Sequence, residues 1–419
     1  MADGVTTASW AAQRARSSGA ALTWVVVRWR LLPWWLRITV VYTLSRVVTT
    51  VLMTGFAQIQ TANSFTVQRP SYLSFASIWD GAWYRVIAAS GYPSTLPVDA
   101  AGHVTENAWA FMPAYPFTVR ALMTVTGASF ELVAVAVSLL AGWGAALVFR
   151  RLMGRFLDPA RATFATVLFC FAPVSVMFQV AYAEAMGLLL LLVALLLLVQ
   201  RRYWAMLPVV LLLGITRPTG LAFALLMGLF VVVGVLRPAW LRMPERLTLR
   251  TAVAPAVVAV VSGLVGFAWP AIAWAATGVP RAYTDTELAW RSSYIGWGEL
   301  VPFAPWVQGF GWWFHQPAGT ILLVVVLVGF VAVVFQPAAR RIGLELRLWG
   351  LAYLVYLLAV FFPQSSTWRI LLPIAPLLGV VALPRSRVYR VAMVVLAVVL
   401  QWTWLYYCWW VDGYDWTPP

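Results

Sequence analysis

The sequence contains no lysine, two cysteines and few acidic residues. All 29 of its basic residues are therefore arginines, and with 14 acidic residues they give a formal net charge of +15. Charged residues make up 10% of the 419 positions and hydrophobic residues 62%, whereas a soluble domain has about 25% charged residues. This shortage of charge excludes a water-soluble enzyme, and the abundance of apolar residues excludes a disordered chain.

The scarcity of cysteine and histidine also limits the chemistry that the chain can carry. Cys170 and Cys408 both lie in apolar runs, so they indicate neither a disulfide framework nor a metal site. His103 and His315 are far apart and have no ligand spacing around them. We therefore expect no cofactor and metal independence. The positive charge could indicate nucleic-acid binding, but the arginines lie between apolar runs, so we expect membrane topology and no nucleic acid partner.

Eleven apolar runs approach the ~20 residues that a membrane-spanning helix needs. Residues 204–236 are the weakest case, because they could form two short spans or one long broken helix. The composition thus predicts an all-α polytopic membrane protein with about 11 transmembrane helices. The predicted spans are residues 37–56, 131–150, 161–181, 184–200, 204–217, 219–236, 252–276, 319–336, 345–361, 367–383 and 389–411.

The placement of arginine predicts the orientation of these spans. With the N-terminus inside, 21 of the 29 arginines fall in cytoplasmic segments, as the positive-inside rule requires. We expect a multi-pass protein of the plasma membrane with long first and fourth extracytoplasmic loops, which are residues 57–130 and 277–318. The predicted domains are a cytoplasmic segment 1–36, a single transmembrane domain 37–411 and an extracytoplasmic tail 412–419.

Loops longer than ~15 residues are usually functional or disordered, and these two are rich in Trp, Tyr, Pro and Gly, which favours order. The densest polar cluster runs from Trp79-Asp80 to Tyr92-Pro93. It predicts a short amphipathic helix with Asp80 at its start, as either a functional carboxylate or only a helix cap. The prolines in Trp109–Pro116 oppose a regular helix there, so this segment is expected to wall a pocket.

Three ionisable residues stand at positions that are costly in a bilayer, and such residues are functional candidates by default. Glu184 begins a leucine-rich helix, Arg217 stands at a break between apolar halves, and Arg369 lies at the outer end of a span. The alternatives are interface exposure for Glu184 and snorkelling for the arginines. Arg46, within the first span, is ambiguous and allows a structural as well as a functional interpretation.

Together these residues predict one outer cavity that holds carboxylates, guanidiniums and aromatic rings. A guanidinium binds phosphate oxygens well, a carboxylate can accept a hydroxyl proton, and flat aromatic rings suit sugars. This set favours glycosyl transfer from a lipid-linked phosphosugar, and no nucleotide-binding glycine loop is visible. A lipid or glycolipid transporter or flippase is the alternative, because broken helices and intramembrane charges are typical of transporters. A non-catalytic lipid-glycan binder is a third interpretation.

The string Trp79–Pro93, followed by Ala110–Pro116, closely resembles the PIG-V-type mannosyltransferases of the GT-C superfamily. Met112 departs from that pattern, which has a second Phe there. Weaker family blocks follow in the expected order, and the resemblance extends over roughly residues 35–380. These blocks are Tyr182-x-Glu184, Arg217-x-x-Gly220, and Arg369 with Pro373 and Pro376 behind it.

The resemblance implies a GT-C fold, an extracytoplasmic active site with Asp80 as catalytic base, and an inverting transfer of mannose from polyprenyl-phosphate-mannose in an α linkage. Eukaryotic members act on glycosylphosphatidylinositol precursors, but a lysine-free, arginine-rich composition indicates a high-GC bacterium. We therefore expect a lipid-linked or cell-envelope glycan acceptor, with membrane lipids as further partners. The expected substrate-binding residues are Trp79, Trp83, Tyr84, Tyr115, Tyr182, Glu184, Arg217, Arg291, Trp368 and Arg369.

Overall fold

The computed structural model describes residues 27–29, 31–236 and 247–411. Within these ranges the chain is helical, and its one isolated β-bridge pairs Val98 with Val104. Most of the predicted segment 1–36 and the whole predicted tail 412–419 lie outside the described residues.

The α-helices vary in length from single turns to 29 residues. In chain order they are α1 (Trp34–Ile59), α2 (Tyr72–Phe75), α3 (Asp80–Ser90), α4 (Ala114–Thr126), α5 (Phe130–Met153), α6 (Pro159–Phe171), α7 (Glu184–Val199), α8 (Tyr203–Gly214), α9 (Gly220–Leu236), α10 (Leu249–Thr277), α11 (Ala282–Ala289), α12 (Ser292–Ile295), α13 (Ala304–Phe314), α14 (Ala318–Phe335), α15 (Leu344–Val360), α16 (Thr367–Ile370), α17 (Leu378–Val381) and α18 (Arg387–Trp404).

Five of the described helical segments are long and apolar enough to cross a membrane. They are Trp34–Ile59, Phe130–Met153, Leu249–Thr277, Ala318–Phe335 and Arg387–Trp409. Shorter apolar helices stand at most of the other predicted spans. The prediction of an all-α multi-pass membrane protein is thus confirmed, whereas the count of eleven spans stays a prediction.

Proline explains where the helices depart from the predicted spans. The predicted span 161–181 ends as an α-helix at Phe171, because Ala172 precedes Pro173 and has extended backbone angles. A 3₁₀ turn, Ser175–Phe178, follows. The predicted span 367–383 breaks into short helical pieces around Pro373 and Pro376. Residues 204–236 form two helices, α8 and α9.

The two long loops are ordered, and they pack against each other at one end of the bundle, which we call the loop end. The Asn107 side-chain amide donates to the Thr286 hydroxyl over 2.9 Å. The rings of His103 and Trp297 stack with centroids 4.3 Å apart. These contacts join the first long loop to the second. The two loops together cover the helices at the loop end.

Helix α7 places the centre of the site. Its leucines pack in the middle of the bundle, where Leu192, Leu195 and Leu198 are fully buried. The helix begins at Glu184, so its buried first turn places a carboxylate directly beneath the two long loops. The break between α8 and α9 lies nearby and is fixed there by the loops, because the Ala114 amide donates to the Ile215 carbonyl over 3.0 Å.

Candidate active site

Asp80 is the first residue of α3, and a sharp backbone turn at Trp79 places it there. Trp79 has a φ of +59° and is held by its indole N–H, which donates to the Trp409 carbonyl over 3.0 Å. Trp79 occupies the cap position without a side-chain cap bond. The carboxylate of Asp80 instead pairs with the Arg369 guanidinium, with 2.6 Å between Oδ2 and Nη1. The interpretation of Asp80 as only a helix cap is therefore wrong.

The four charged residues singled out from the sequence form one connected network. Nη1 of Arg369 lies 2.7 Å from Oε1 of Glu184, and Nη2 of Arg217 lies 3.3 Å from the same oxygen. Glu184 and Arg369 are 6% and 9% exposed, so neither interface exposure nor snorkelling describes them. With Asp80, the network joins two carboxylates to two guanidiniums, and their formal charges cancel.

Within this network Arg217 is the more accessible guanidinium. Its side chain is 19% exposed and makes a single ion pair among the described residues. Arg369 is 10% exposed in its side chain and uses one nitrogen for both carboxylates. Arg369 therefore holds the two acids in place, whereas Arg217 still has nitrogens that can bind a ligand.

Gly187 makes room for Arg217, and sequence reasoning missed it. It lies one turn after Glu184 on α7, and a Cβ at this position would lie 2.8 Å from Cγ of Arg217. Such a distance is closer than van der Waals contact allows, so a larger residue would displace the arginine. The signal in the sequence is the spacing of three residues between Glu184 and Gly187, which puts both on one face of the helix.

Tyr182 supports the network from below. Its hydroxyl accepts a hydrogen bond from the Asp80 amide over 3.1 Å. Its ring lies 5.2 Å from the guanidinium carbon of Arg369, which is within the range of a cation–π interaction. Tyr182 is fully buried. It therefore fixes both the acid and the arginine.

A cavity of about 530 Å³ opens beside these charges at the loop end. Asp80, Glu184, Arg217 and Arg369 all line it. Burial raises the pKa of the Asp80 carboxyl, and the negative charge of Glu184 acts in the same direction, while Arg369 and Arg217 oppose the shift. Apolar and aromatic side chains also line it, among them Phe111, Leu188, Leu191, Leu221, Phe267, Trp290, Tyr353 and Tyr356.

Most of the predicted aromatic residues pack around the cavity rather than line it. Tyr84 is buried between the rings of Phe111 and Tyr115, with centroids 5.3 and 5.1 Å away. The Tyr115 hydroxyl donates to the Ala134 carbonyl over 2.9 Å. Trp83 stacks on Phe111 with centroids 5.9 Å apart. These contacts make the three predicted residues part of the wall's support, and Phe111 is the residue of this group that reaches the cavity.

The structure does not bring Trp368 to the site. Its side chain is 62% exposed and is not among the residues that line the cavity. Neighbours on a helix point about 100° apart, so α16 turns Arg369 inward and Trp368 outward. Trp79 also does not line the cavity. Its ring packs on Phe65 with centroids 4.7 Å apart.

Arg291 does line the cavity, and it brings with it residues to which sequence reasoning gave no role. Its Nη2 lies 3.1 Å from Oε2 of Glu287, and its Nη1 donates to the Val360 carbonyl over 3.0 Å. Tyr283 lies one turn before Glu287 and lines the same wall. The signal was the spacing of four residues from Tyr283 to Glu287 to Arg291, which places them on one helical face.

Among the residues that the structure describes, no group of three or more His, Cys, Asp and Glu side chains could hold a metal ion. Cys170 and Cys408 are both buried free thiols. Metal independence stays a prediction.

Two solved structures are similar to this one at low sequence identity. One is the Archaeoglobus fulgidus oligosaccharyltransferase in complex with Zn and sulfate (14% identity, TM-score 0.45, 90% of this chain and 54% of that chain). The other is ArnT from Cupriavidus metallidurans in the apo state (15% identity, TM-score 0.42, 87% of this chain and 59% of that chain). The chain thus spans little more than half the length of each. No curated protein matches the chain.

A family model does match, and it covers more than half of the chain. The model describes the family as Mannosyltransferase (PIG-V) and matches residues 35–276. This range includes Asp80, Glu184 and Arg217 and ends before Arg369. It confirms the resemblance seen in the motifs around Asp80, and the chain belongs to the Mannosyltransferase (PIG-V) family.

Proposed function

We propose that the protein is a membrane glycosyltransferase that transfers mannose from polyprenyl-phosphate-mannose to a lipid-linked or cell-envelope glycan acceptor. One observation carries the proposal. In a single cavity, the Asp80 carboxylate is held through one oxygen by Arg369 and is itself part of the cavity wall. Arg217 lines the same cavity, and membership of the mannosyltransferase family supports the choice of sugar.

The chemistry is a single in-line displacement at the anomeric carbon. The acceptor hydroxyl gives its proton to Asp80 as its oxygen forms a bond to C1 of mannose. The bond between C1 and the phosphate oxygen breaks, and the polyprenyl phosphate leaves with the electron pair. Because attack and departure are on opposite faces, a β-phosphosugar becomes an α-glycoside. The role of Arg217 is to bind the phosphate, whose negative charge increases as it leaves.

The electrostatics of the cavity fit a general base at Asp80. A base works best when its pKa lies closer to the working pH, and burial raises the pKa of this carboxyl. Arg369 opposes that rise and orients the carboxyl, because its guanidinium holds Oδ2 at 2.6 Å. Arg369 is thus a positioning residue, and Glu184 positions both arginines through Oε1.

The apolar part of the cavity suits the lipid part of the donor. Below the charges, the cavity is lined by Leu188, Leu191, Leu221 and Phe267. Burial of each methylene of an isoprenoid chain against such a surface is worth about 0.8 kcal/mol.

The arginine distribution supports a cytoplasmic N-terminus and an extracytoplasmic cavity in the plasma membrane. We propose that the reaction needs no metal, so excess EDTA should leave the rate unchanged.

The direct test uses the purified full chain in lipid nanodiscs, where no second compartment exists. Radiolabelled polyprenyl-phosphate-mannose and a total envelope glycolipid extract are added, and the expected product is a mannosylated glycolipid with an α linkage by NMR. A deletion strain should lack the same glycolipid by mass spectrometry. Absence of transfer from the mannosyl donor to any lipid in the extract, with protein that is folded by thermal melting, would overturn the proposal. Such a result would favour transport.

A further inference from the structure

A second polar wall faces the same cavity from the other long loop. Tyr283, Glu287 and Arg291 line it at successive turns of α11 and its C-terminal end. The Glu287 carboxylate lies 3.1 Å from the Arg291 guanidinium, and Tyr283 lies one turn earlier on α11. This wall therefore presents a carboxylate, a phenol and a guanidinium to the cavity.

The neighbouring face of the same helix shows that this arrangement is not an ordinary surface ion pair. Arg281 and Asp285 have the same four-residue spacing, but their side chains are 59% and 29% exposed and do not line the cavity. The Glu287 and Arg291 side chains are only 23% and 13% exposed. Helix α11 therefore turns one ion pair to the surface and the other toward the cavity.

Aromatic rings flank the polar wall. The Trp290 ring lines the cavity and is held edge-on by Trp83 and Phe111, with centroids 6.0 Å away in each case. Tyr356, on α15, lines the cavity as well. Rigid rings that offer apolar faces beside fixed polar groups give a pocket both affinity and orientation. A sugar ring, with one apolar face and a rim of hydroxyls, matches these features.

We infer that this wall binds the sugar ring of the acceptor, with Glu287 accepting hydrogen bonds from ring hydroxyls and Trp290 covering the apolar face. The inference rests on the proposed function, because it gives the two walls of the cavity to the two substrates. The donor phosphate suits this wall poorly. Both terminal nitrogens of Arg291 are already used, one by Glu287 and the other by the Val360 carbonyl, whereas Arg217 makes a single ion pair among the described residues.

The experiment measures the binding of the two substrates separately, with the full chain in nanodiscs. Saturation-transfer NMR reports binding of three acceptor probes: methyl α-mannoside, methyl α-glucoside and methyl β-galactoside. Donor use is measured as KM for a short-chain polyprenyl-phosphate-mannose. Glu287→Gln and Trp290→Leu should each weaken glycoside binding about tenfold, which is the cost of one buried hydrogen bond or ring contact. Both variants should leave the donor KM unchanged. Asp285→Asn, on the outer face of α11, is the matched control and should change neither value.

Three results would overturn the inference. They are failure of wild-type protein to bind any of the three glycosides, failure of both variants to weaken binding while melting normally, and a rise in donor KM with glycoside binding intact. The last result would make this wall the phosphate site. Failure of the proposed function gives a different pattern, because glycoside binding would still depend on Glu287 while wild-type protein made no product from the mannosyl donor.

Discussion

Two buried arginines in this protein have similar surroundings and different partners. Arg46 and Arg369 are 6% and 9% exposed, and each guanidinium lies beside a tyrosine ring, at 5.3 Å from Tyr42 and 5.2 Å from Tyr182. Arg46 donates to neutral oxygens, among them the Ser175 carbonyl and the Cys170 carbonyl at 2.8 Å. Arg369 binds two carboxylates and lines the cavity.

The partners of the two arginines distinguish a buried charge that stabilises the fold from a buried charge that belongs to the candidate site. The guanidinium of Arg46 satisfies backbone carbonyls at the break after α6, so it replaces hydrogen bonds that the helix end cannot make for itself. It makes no ion pair among the described residues. Arg369 instead holds the carboxylates of Asp80 and Glu184 at the wall of the cavity. A buried charge in a membrane protein is thus not enough to indicate a functional site. Charged partners and an adjoining cavity are needed as well.

The largest expected effect is at the carboxylate that Arg369 holds. Asp80→Asn keeps the size of the side chain but removes its capacity to accept a proton, so transfer should fall about 10³-fold. The measurement is initial rate with radiolabelled donor at equal amounts of folded protein. Asp285→Asn is the matched control and should keep its rate. Near-normal turnover in the Asp80 variant would move the base to Glu184.

A smaller loss is expected when Arg217 is displaced without being replaced. Gly187→Ala puts a methyl group 2.8 Å from Cγ of Arg217, and a shift of a binding group by about 1 Å can cost up to 100-fold in efficiency. Donor KM should rise. Gly228→Ala, where a Cβ meets nothing within 4 Å, is the control for the change in helix propensity. Equal effects from both substitutions would disprove a role for Gly187.

The smallest expected effect is a shift in pH dependence. An ordinary aspartate titrates at about pH 4, and burial raises the pKa of Asp80 above its ordinary value. As the pH is lowered, kcat/KM should therefore begin to fall before about pH 4 is reached. The charge of Glu184 contributes to that rise. Glu184→Gln should therefore lower the pKa of Asp80 and move the acid limb to lower pH, whatever the height of the profile. An acid limb that stays in place or moves up would contradict the network.

The charged half of the site could be predicted from the sequence because each member is costly in its apolar context. Glu184, Arg217 and Arg369 interrupt hydrophobic runs, and a bilayer tolerates such residues only with partners. The sequence also predicted a break at Arg217-Pro218, between two short spans or within one long helix, because proline removes a backbone hydrogen-bond donor. The helix that begins at Asp80 followed from its amphipathic pattern.

The second wall and the roles of the aromatic residues could not be predicted in this way. Glu287 stands in a polar loop, where a charge is unremarkable, and its approach to the cavity depends on how two long loops pack against each other. Trp368 and Arg369 are neighbours on the short helix α16. Only the rotation of about 100° between successive residues separates the exposed side chain from the buried one. Tyr84 and Tyr115 face each other in the support of the wall, and composition alone does not separate a ring that packs from a ring that binds.

The same substitution at both buried arginines separates their two roles. Arg369→Gln and Arg46→Gln are compared by transfer rate per folded molecule and by melting temperature in nanodiscs. We predict that Arg369→Gln loses about 100-fold in rate per folded molecule, while Arg46→Gln melts at a lower temperature and retains the rate of the wild-type protein. Equal losses of rate in the two variants, or a fully active Arg369→Gln, would contradict this prediction.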